Sequence, residues 1–313
     1  MMALISSLFR QARPLLLDGA LATELERAGY HLDDPLWSGR LLLDNPAAIA
    51  AVHRAYLEAG ADCIETASYQ LSLPGLQRRG LSRGRAMSVL ADAARLACSV
   101  RDDVWAGLPA AQRRNRIRPL VAGSLGPYGA CQADGSEYTG RYTLSRSQYL
   151  AFHAPRMRAL AAGGADLIAC ETVPHLDEAL AFADLLQALS VPGWVSFSVR
   201  DAAHIADGTP LRLCVQAMAS CPFVAAIGIN CTDPVLVPAL IRCLRRGGLP
   251  VIVYPNAGEP FDLVTRCWGH RRSDDWAEQA RSWLRLGARI VGGCCRTRPD
   301  DIRALRRLIH AQA

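Results

Sequence analysis

Lysine is absent from this chain: all 35 basic residues are arginine. Schiff-base aldolases and pyridoxal phosphate enzymes both need a lysine amine, so two chemistries common on barrel folds are excluded by composition. Long apolar runs are also missing. Nothing approaches the ~20 uninterrupted apolar residues of a membrane helix, and the opening MMALISSLFRQAR lacks the long apolar core and small-residue cleavage site of a secretory signal. A cytoplasmic protein without a membrane partner is expected. The net charge of +6 comes without a basic stripe or an interleaved aromatic platform, and Asp or Glu lies close to most arginines, so no nucleic-acid partner is expected. No Pro/Ser-rich linker, shift of composition or copied period divides the chain, and residues 1–313 read as a single domain.

What is present is an alternation of short β-branched runs with longer helical patterns, the signature of βα repeats and a parallel sheet. Eight runs read as strands: 14–19, 62–69, 120–126, 166–172, 194–199, 224–231, 251–256 and 289–294. Helical segments lie between them, among them 47–59, 145–162, 175–189, 234–246 and 275–286. Several end on glycine just before the next strand, in Gly60-Ala61, Gly163-Gly164, Gly247-Gly248 and Gly287-Ala288, where glycine supplies the left-handed conformation of a helix C-terminus. Eight such units close a (β/α)8 TIM barrel of the α/β class. A doubly wound open sheet is the alternative, but Leu17-Asp18-Gly19-Ala20-Leu21-Ala22 after the first strand lacks the dinucleotide fingerprint of that fold. Longer inserts follow strands one, three and five, at 31–46, 127–143 and 200–210. In a barrel these loops leave the C-terminal rim, where such enzymes keep their active sites.

The strand ends carry the chemistry. They read Asp18; Glu65 to Tyr69; Ser124; Glu171 and Thr172; Asn230 and Cys231; Asn256; and Cys294 with Cys295. Eleven cysteines in a chain without a secretory signal read as thiols or metal ligands rather than a disulfide framework, and most need no role beyond that of a small buried hydrophobe. Three of them differ: Cys231 ends strand six and the pair Cys294-Cys295 ends strand eight, so three thiols can converge over the barrel mouth. Three thiolates with one open position is the layout of a catalytic zinc site, and soft sulfur ligands favour zinc over magnesium or calcium. Gly292-Gly293 leaves the backbone free to bend before the pair. The alternative is three buried apolar cysteines. Zinc on three thiolates carries net negative charge and suits holding a fourth thiolate in nucleophilic form, so the site asks for a thiol substrate.

At this point a family resemblance becomes visible along nearly the whole chain. The segments Leu17-Asp18-Gly19-Ala20, Thr66-Ala67-Ser68-Tyr69-Gln70, Gly123-Ser124-Leu125-Gly126-Pro127-Tyr128-Gly129, Asp134-Gly135-Ser136-Glu137-Tyr138, Glu171-Thr172, Asp207-Gly208-Thr209-Pro210, Gly228-Ile229-Asn230-Cys231, Tyr254-Pro255-Asn256-Ala257-Gly258-Glu259 and Gly292-Gly293-Cys294-Cys295 resemble homocysteine S-methyltransferases, above all the bacterial and plant branch that uses S-methylmethionine. The resemblance implies that Cys231, Cys294 and Cys295 hold one Zn2+ with the homocysteine sulfur as fourth ligand. It further implies that Asp18 and Glu171 hold the homocysteine amino group.

Other roles follow as expectations. Backbone amides at Gly19 and Ala20 are placed to receive the substrate carboxylate, with Thr172 beside Glu171 at the same rim. Tyr69 and Phe197 are candidates for aromatic walls around a sulfonium, although a barrel-filling role is the commoner fate of such residues. Asn230 and Asn256 either orient substrate or hold loops. His175 is expected at a helix start, outside the site. S-methylmethionine ranks first as methyl donor, S-adenosylmethionine second and betaine third. A selenocysteine acceptor is a further possibility, and a non-catalytic zinc-binding scaffold is the rival of another class.

Overall fold

The computed structural model describes residues 1–114, 116–259, 261–262, 267–269 and 276–310. All eight expected strands are present as β1 (Leu15–Leu16), β2 (Cys63–Glu65), β3 (Leu120–Leu125), β4 (Leu167–Val173), β5 (Gly193–Phe197), β6 (Val224–Asn230), β7 (Val251–Tyr254) and β8 (Ala288–Val291). They form one parallel sheet in which β2 to β7 follow sequence order, β8 lies beside β7, and β1 lies beside β8. A parallel bridge from Leu17 to Cys63 joins β1 back to β2, so the sheet closes into an α/β TIM barrel. The strands are shorter than the sequence pattern predicts because the chain turns early at the rim. After Glu65 the amide of Ser68 already donates to the carbonyl of Thr66 at 2.8 Å, and Cys231, expected inside β6, follows its last residue.

Period-two alternation divides the strand residues between two cores. Leu15, Leu17, Cys63, Leu120, Ala122, Leu167, Ala169, Trp194, Ala226, Ile252 and Ile290 fill the barrel interior. Leu16, Ile64, Val121, Ile168, Cys170, Val195, Phe197, Ile227, Ile229, Val253 and Val291 face the surrounding helices. Near the C-terminal rim the inward positions turn polar, at Glu65, Ser124, Glu171, Ser196, Asn230 and Tyr254; Glu65, Ser124, Glu171 and Asn230 form the floor of the site described below, with the Ser196 and Tyr254 hydroxyls bonded to each other beneath it.

The opposite end of the barrel is stopped by the N-terminal helix Met2–Arg10, whose Ile5 and Phe9 join the interior core. The apolar N-terminal stretch, too short for a membrane span, therefore has a packing role. Among the described residues no helix is long and apolar enough to cross a membrane. The helix terminators behave as expected: Gly60, Gly164, Gly248 and Gly287 all have positive φ. The helix predicted over 275–286 is seen over Trp276–Leu286. Asp275 lies outside the described residues, as does the side chain of Cys267.

Gly292 and Gly293 correct the expectation attached to them. Neither has positive φ. Their role is close approach: a Cβ at Gly292 would lie 2.5 Å from the Cβ of Leu17, and one at Gly293 would lie 2.2 Å from Oγ1 of Thr297. The rim of β8 is thus pressed against the end of β1, and the Gly293 amide donates to the Asp18 carbonyl at 2.9 Å.

Candidate functional site

Above the polar floor lies a cavity of about 890 Å3. It is lined by the rims of β1 to β4 and β6 to β8 together with the inserts after β1 and β3. The three cysteines meet there. The sulfur of Cys231 lies 2.9 Å from that of Cys294 and 3.4 Å from that of Cys295, and all three lie within 4.8 Å of one another. No disulfide joins them. Cys231 has φ +50, a conformation that L-residues rarely adopt outside functional or tightly constrained positions. Its amide donates to Tyr254 (3.2 Å), that of Cys294 donates to Pro255 (2.8 Å), and the Cys295 carbonyl accepts from Ala257 (3.0 Å). The backbone thus holds the three sulfurs to one point, and the donor set fits a thiophilic metal with one position left for a further ligand.

Hydrogen bonds from Cys294, Cys295 and Tyr138 push the Cys231 thiol down, and the same contacts with Cys231 push Cys294 and Cys295 up. Beside them sit three carboxyls. Asp18 accepts the Glu65 amide on Oδ2 at 2.9 Å, and Glu171 accepts the Ser124 hydroxyl on Oε1. Glu65 stands between them at the end of β2. Burial pushes all three up, Glu171 to about 7, and repulsion between them adds to the effect at Asp18 and Glu65.

The expected site residues separate into groups. Asp18, Gly19, Ala20, Glu171, Thr172, Tyr69, Asn230, Asn256 and the three cysteines line one cavity. Phe197 does not: Ser196 points inward, so its neighbour points outward into the fully buried layer between barrel and helices. The aromatic partner of Tyr69 is instead Trp37, in the insert after β1, edge-on with ring centroids 6.2 Å apart. The Ala20 amide is also not free for a carboxylate, since it donates to Oγ1 of Thr297 at 3.3 Å. Gly19 is required by packing, because a Cβ there would lie 2.6 Å from the same Oγ1.

Asn230 acts as a clamp. Its Oδ1 accepts from the Thr172 amide (2.7 Å) and the Ser196 hydroxyl (2.9 Å), while its Nδ2 donates to the Thr172 hydroxyl (2.7 Å), fixing Thr172 at φ +57 next to Glu171. Asn256 keeps Oδ1 buried without a partner. His175 lies outside the cavity as expected and contacts Asp207 at 3.2 Å. Trp37, Glu137 and Tyr138, which no strand-end pattern singles out, are carried into the cavity by the two inserts. Glu65 and Ser124, which the period-two pattern places inward, line it as well.

Charge gives the cavity its character. Ten carboxylate residues line it, from Asp18 on the floor to Asp33, Asp34, Asp233 and Glu259 near the mouth, and no arginine or histidine does among the described residues. In a chain whose net charge is +6, the cavity is a local region of negative potential that favours cationic ligands.

Residues 15–309 match the protein family described as homocysteine S-methyltransferase. The chain belongs to that family. It is 45% identical over 294 residues to a homocysteine S-methyltransferase of Bacillus subtilis, with 93% of each chain covered. It is 40% identical over 301 residues to a selenocysteine Se-methyltransferase of Brassica oleracea, covering 93% of this chain and 87% of that one. The crystal structure of the Escherichia coli homocysteine methyltransferase in its metallated form superposes with a TM-score of 0.86 at 43% identity, covering 96% of this chain and 98% of the other. The member described here is accordingly a methyltransferase on a TIM barrel that acts on a small thiol, and three of its cysteines form a group able to hold a metal ion.

Proposed function

We propose that this enzyme forms methionine by moving a methyl group from S-methylmethionine to the thiol of L-homocysteine, with one Zn2+ held by Cys231, Cys294 and Cys295. The observation that carries the reading is the convergence of three sulfurs within 4.8 Å of one another, in the same cavity as the buried carboxyls of Asp18 and Glu171. Zinc bound there supplies a position for the substrate sulfur and lowers its pKa, so that it is a nucleophile near neutral pH.

The protein's own residues bind and align. Asp18 and Glu171 take the homocysteine ammonium by charge-assisted hydrogen bonds, and the Asn230 clamp fixes the Thr172 backbone next to Glu171. Tyr69 and Trp37 offer aromatic faces to the sulfonium of the donor. The thioether departs neutral and without a proton, so no general acid is needed, and alignment of sulfur, carbon and sulfur accounts for much of the rate.

The acidic lining also ranks the donors. S-methylmethionine carries a net positive charge, whereas betaine carries none, and a cavity rich in carboxylates attracts the former. Free thiols at all ten described cysteines suit a reducing, cytoplasmic compartment. Residues 1–313 act as one domain on this assignment, which the packing of the N-terminal helix across the barrel and of the C-terminal helix Pro299–His310 on its side supports.

Offering S-methylmethionine, S-adenosylmethionine and betaine separately to the zinc-loaded protein with homocysteine tests the assignment. The expected order of kcat/KM is the order given. A preference for betaine would overturn the charge argument. Faster turnover with selenocysteine than with homocysteine would move the acceptor assignment to the selenol.

A further inference from the structure

The floor of the cavity contains one more carboxylate than the acceptor assignment uses. Glu65 ends β2 with its side chain inward, two residues after the interior Cys63, and lines the same cavity as Asp18 and Glu171. Donors around this trio are few and specific. The Glu65 amide serves Oδ2 of Asp18, and the Ser124 hydroxyl serves Oε1 of Glu171. Two buried oxygens are left without a donor: Oδ1 of Asp18, a residue only 4% exposed, and Oε1 of Glu65. An orphaned acceptor in a buried site carries a desolvation cost unless a ligand satisfies it. No basic side chain lines the cavity among the described residues to do so.

A primary ammonium has three N–H donors, and the floor presents three carboxyls. We propose that Glu65 is a third ammonium-binding residue of the acceptor subsite, and that it makes the enzyme select thiols carrying an α-amino group. The inference rests on the placement of homocysteine given above, with Asp18 and Glu171 at its nitrogen. It adds a distinct property. Asp18 and Glu171 each already spend one oxygen on an internal donor, so the partnerless Oε1 of Glu65 supplies an acceptor for the third N–H, and an acceptor lacking that nitrogen leaves the acidic trio uncompensated. Mutual repulsion within the empty site is the cost, and stability is given up there for recognition.

The test compares Glu65→Gln with wild type, both zinc-loaded. Homocysteine and 4-mercaptobutyrate, which is homocysteine without its amino group, are titrated calorimetrically, and thermal unfolding is followed without ligand. Glu65→Gln is expected to weaken homocysteine binding at least about tenfold and to change mercaptobutyrate binding by less than about twofold. It should raise the KM for homocysteine more than it lowers kcat, and the empty protein should melt at the same or a higher temperature. Glu65→Asp, which keeps the charge, should recover part of the affinity.

Unchanged homocysteine affinity in Glu65→Gln would overturn the proposal, and so would equal loss for both thiols or a lowered melting temperature with loss of both. Methionine formation by the wild type is read separately, so failure of the methyltransfer reading is distinguishable from failure of this one.

Discussion

The hydroxyl of Tyr138 lies 3.3 Å from the sulfur of Cys231, linking the insert after β3 to the end of β6. The insert is anchored there by Ser198, which donates to the Glu137 carbonyl at 2.7 Å, and braced within itself by Ser136, which donates to the carbonyl of Gly129 at 3.3 Å. A hydroxyl donating to a metal-binding thiolate draws charge from it and fixes its direction. Groups that orient ligands in this way typically contribute 10- to 100-fold in metal affinity or activity. Tyr138→Phe is expected to retain one zinc per chain but bind it about tenfold more weakly, as measured by competition with a chromogenic chelator. Unaltered affinity together with unaltered turnover would remove Tyr138 from the site.

Loss of one sulfur is predicted to act more severely. Cys294→Ser replaces a soft ligand by a hydroxyl, so zinc measured after dialysis should fall to well under half of the wild-type content while circular dichroism is retained. The barrel itself should survive, because Cys294 lies beyond the last ladder residue of β8. A variant that keeps its zinc and its activity is the result that would count against the three-sulfur centre.

Glu178 is predicted to set the shape of the cavity from outside it. This fully buried carboxylate accepts from the amide of Tyr128 (2.6 Å), the hydroxyl of Tyr142 (2.6 Å) and Nε2 of His153 (2.7 Å). Arg156 donates to Nδ1 of His153 at 3.1 Å and to the carbonyls of Tyr69 (2.8 Å) and Gly126 (2.9 Å). One buried network therefore holds both the Tyr69 turn and the insert that bears Tyr138. Glu178→Gln turns an amide N–H toward groups that are themselves donors, and should cost about 3 kcal/mol of stability in urea unfolding. KM for the methyl donor should rise with it. An unfolding midpoint within error of wild type would show that the network is not strained by the change.

The pH dependence of stability follows from two buried histidines. Burial pushes His53 and His153 down from 6.5 to about 4. Because the folded value lies below the unfolded one, the unfolded chain binds more protons between pH 6.5 and 4. Their contribution is complete above pH 6.5 and is lost as pH falls toward 4. His53 has no hydrogen-bond partner on either ring nitrogen. His53→Leu should therefore remove up to about 3 kcal/mol of the acid-dependent loss. The check is the difference between wild-type and variant urea curves at pH 7.5 and pH 4.5; parallel profiles would show that His53 is not held neutral.

Much of the barrel was legible because βα alternation and terminal glycines are local signals, and both survived into the structure as eight closed strands with left-handed helix ends. The thiol cluster was legible because its members end strands six and eight, a placement the fold converts into proximity. Side-chain direction was harder. Phe197 looked suitable as an aromatic at a strand end, yet the parity that sends Ser196 inward sends Phe197 to the helices. The same parity places Glu65 inward two residues after Cys63, a signal present in the sequence but not used. Trp37 and Tyr138 lie in inserts without periodicity, and their position depends on contacts with distant residues such as Tyr69 and Cys231. The closed amide at Ala20 depends on Thr297, at the other end of the chain, and no local pattern announces it.

The central claim is most directly tested by supplying deuterium-labelled homocysteine with unlabelled S-methylmethionine to zinc-loaded protein, beside a chelator-treated sample and the same sample after zinc is restored. The account predicts labelled and unlabelled methionine in equal amounts, since acceptor and donor each become one methionine, with turnover lost on chelation and regained with zinc. Labelled homocysteine left unconverted while zinc is bound at one per chain would contradict it.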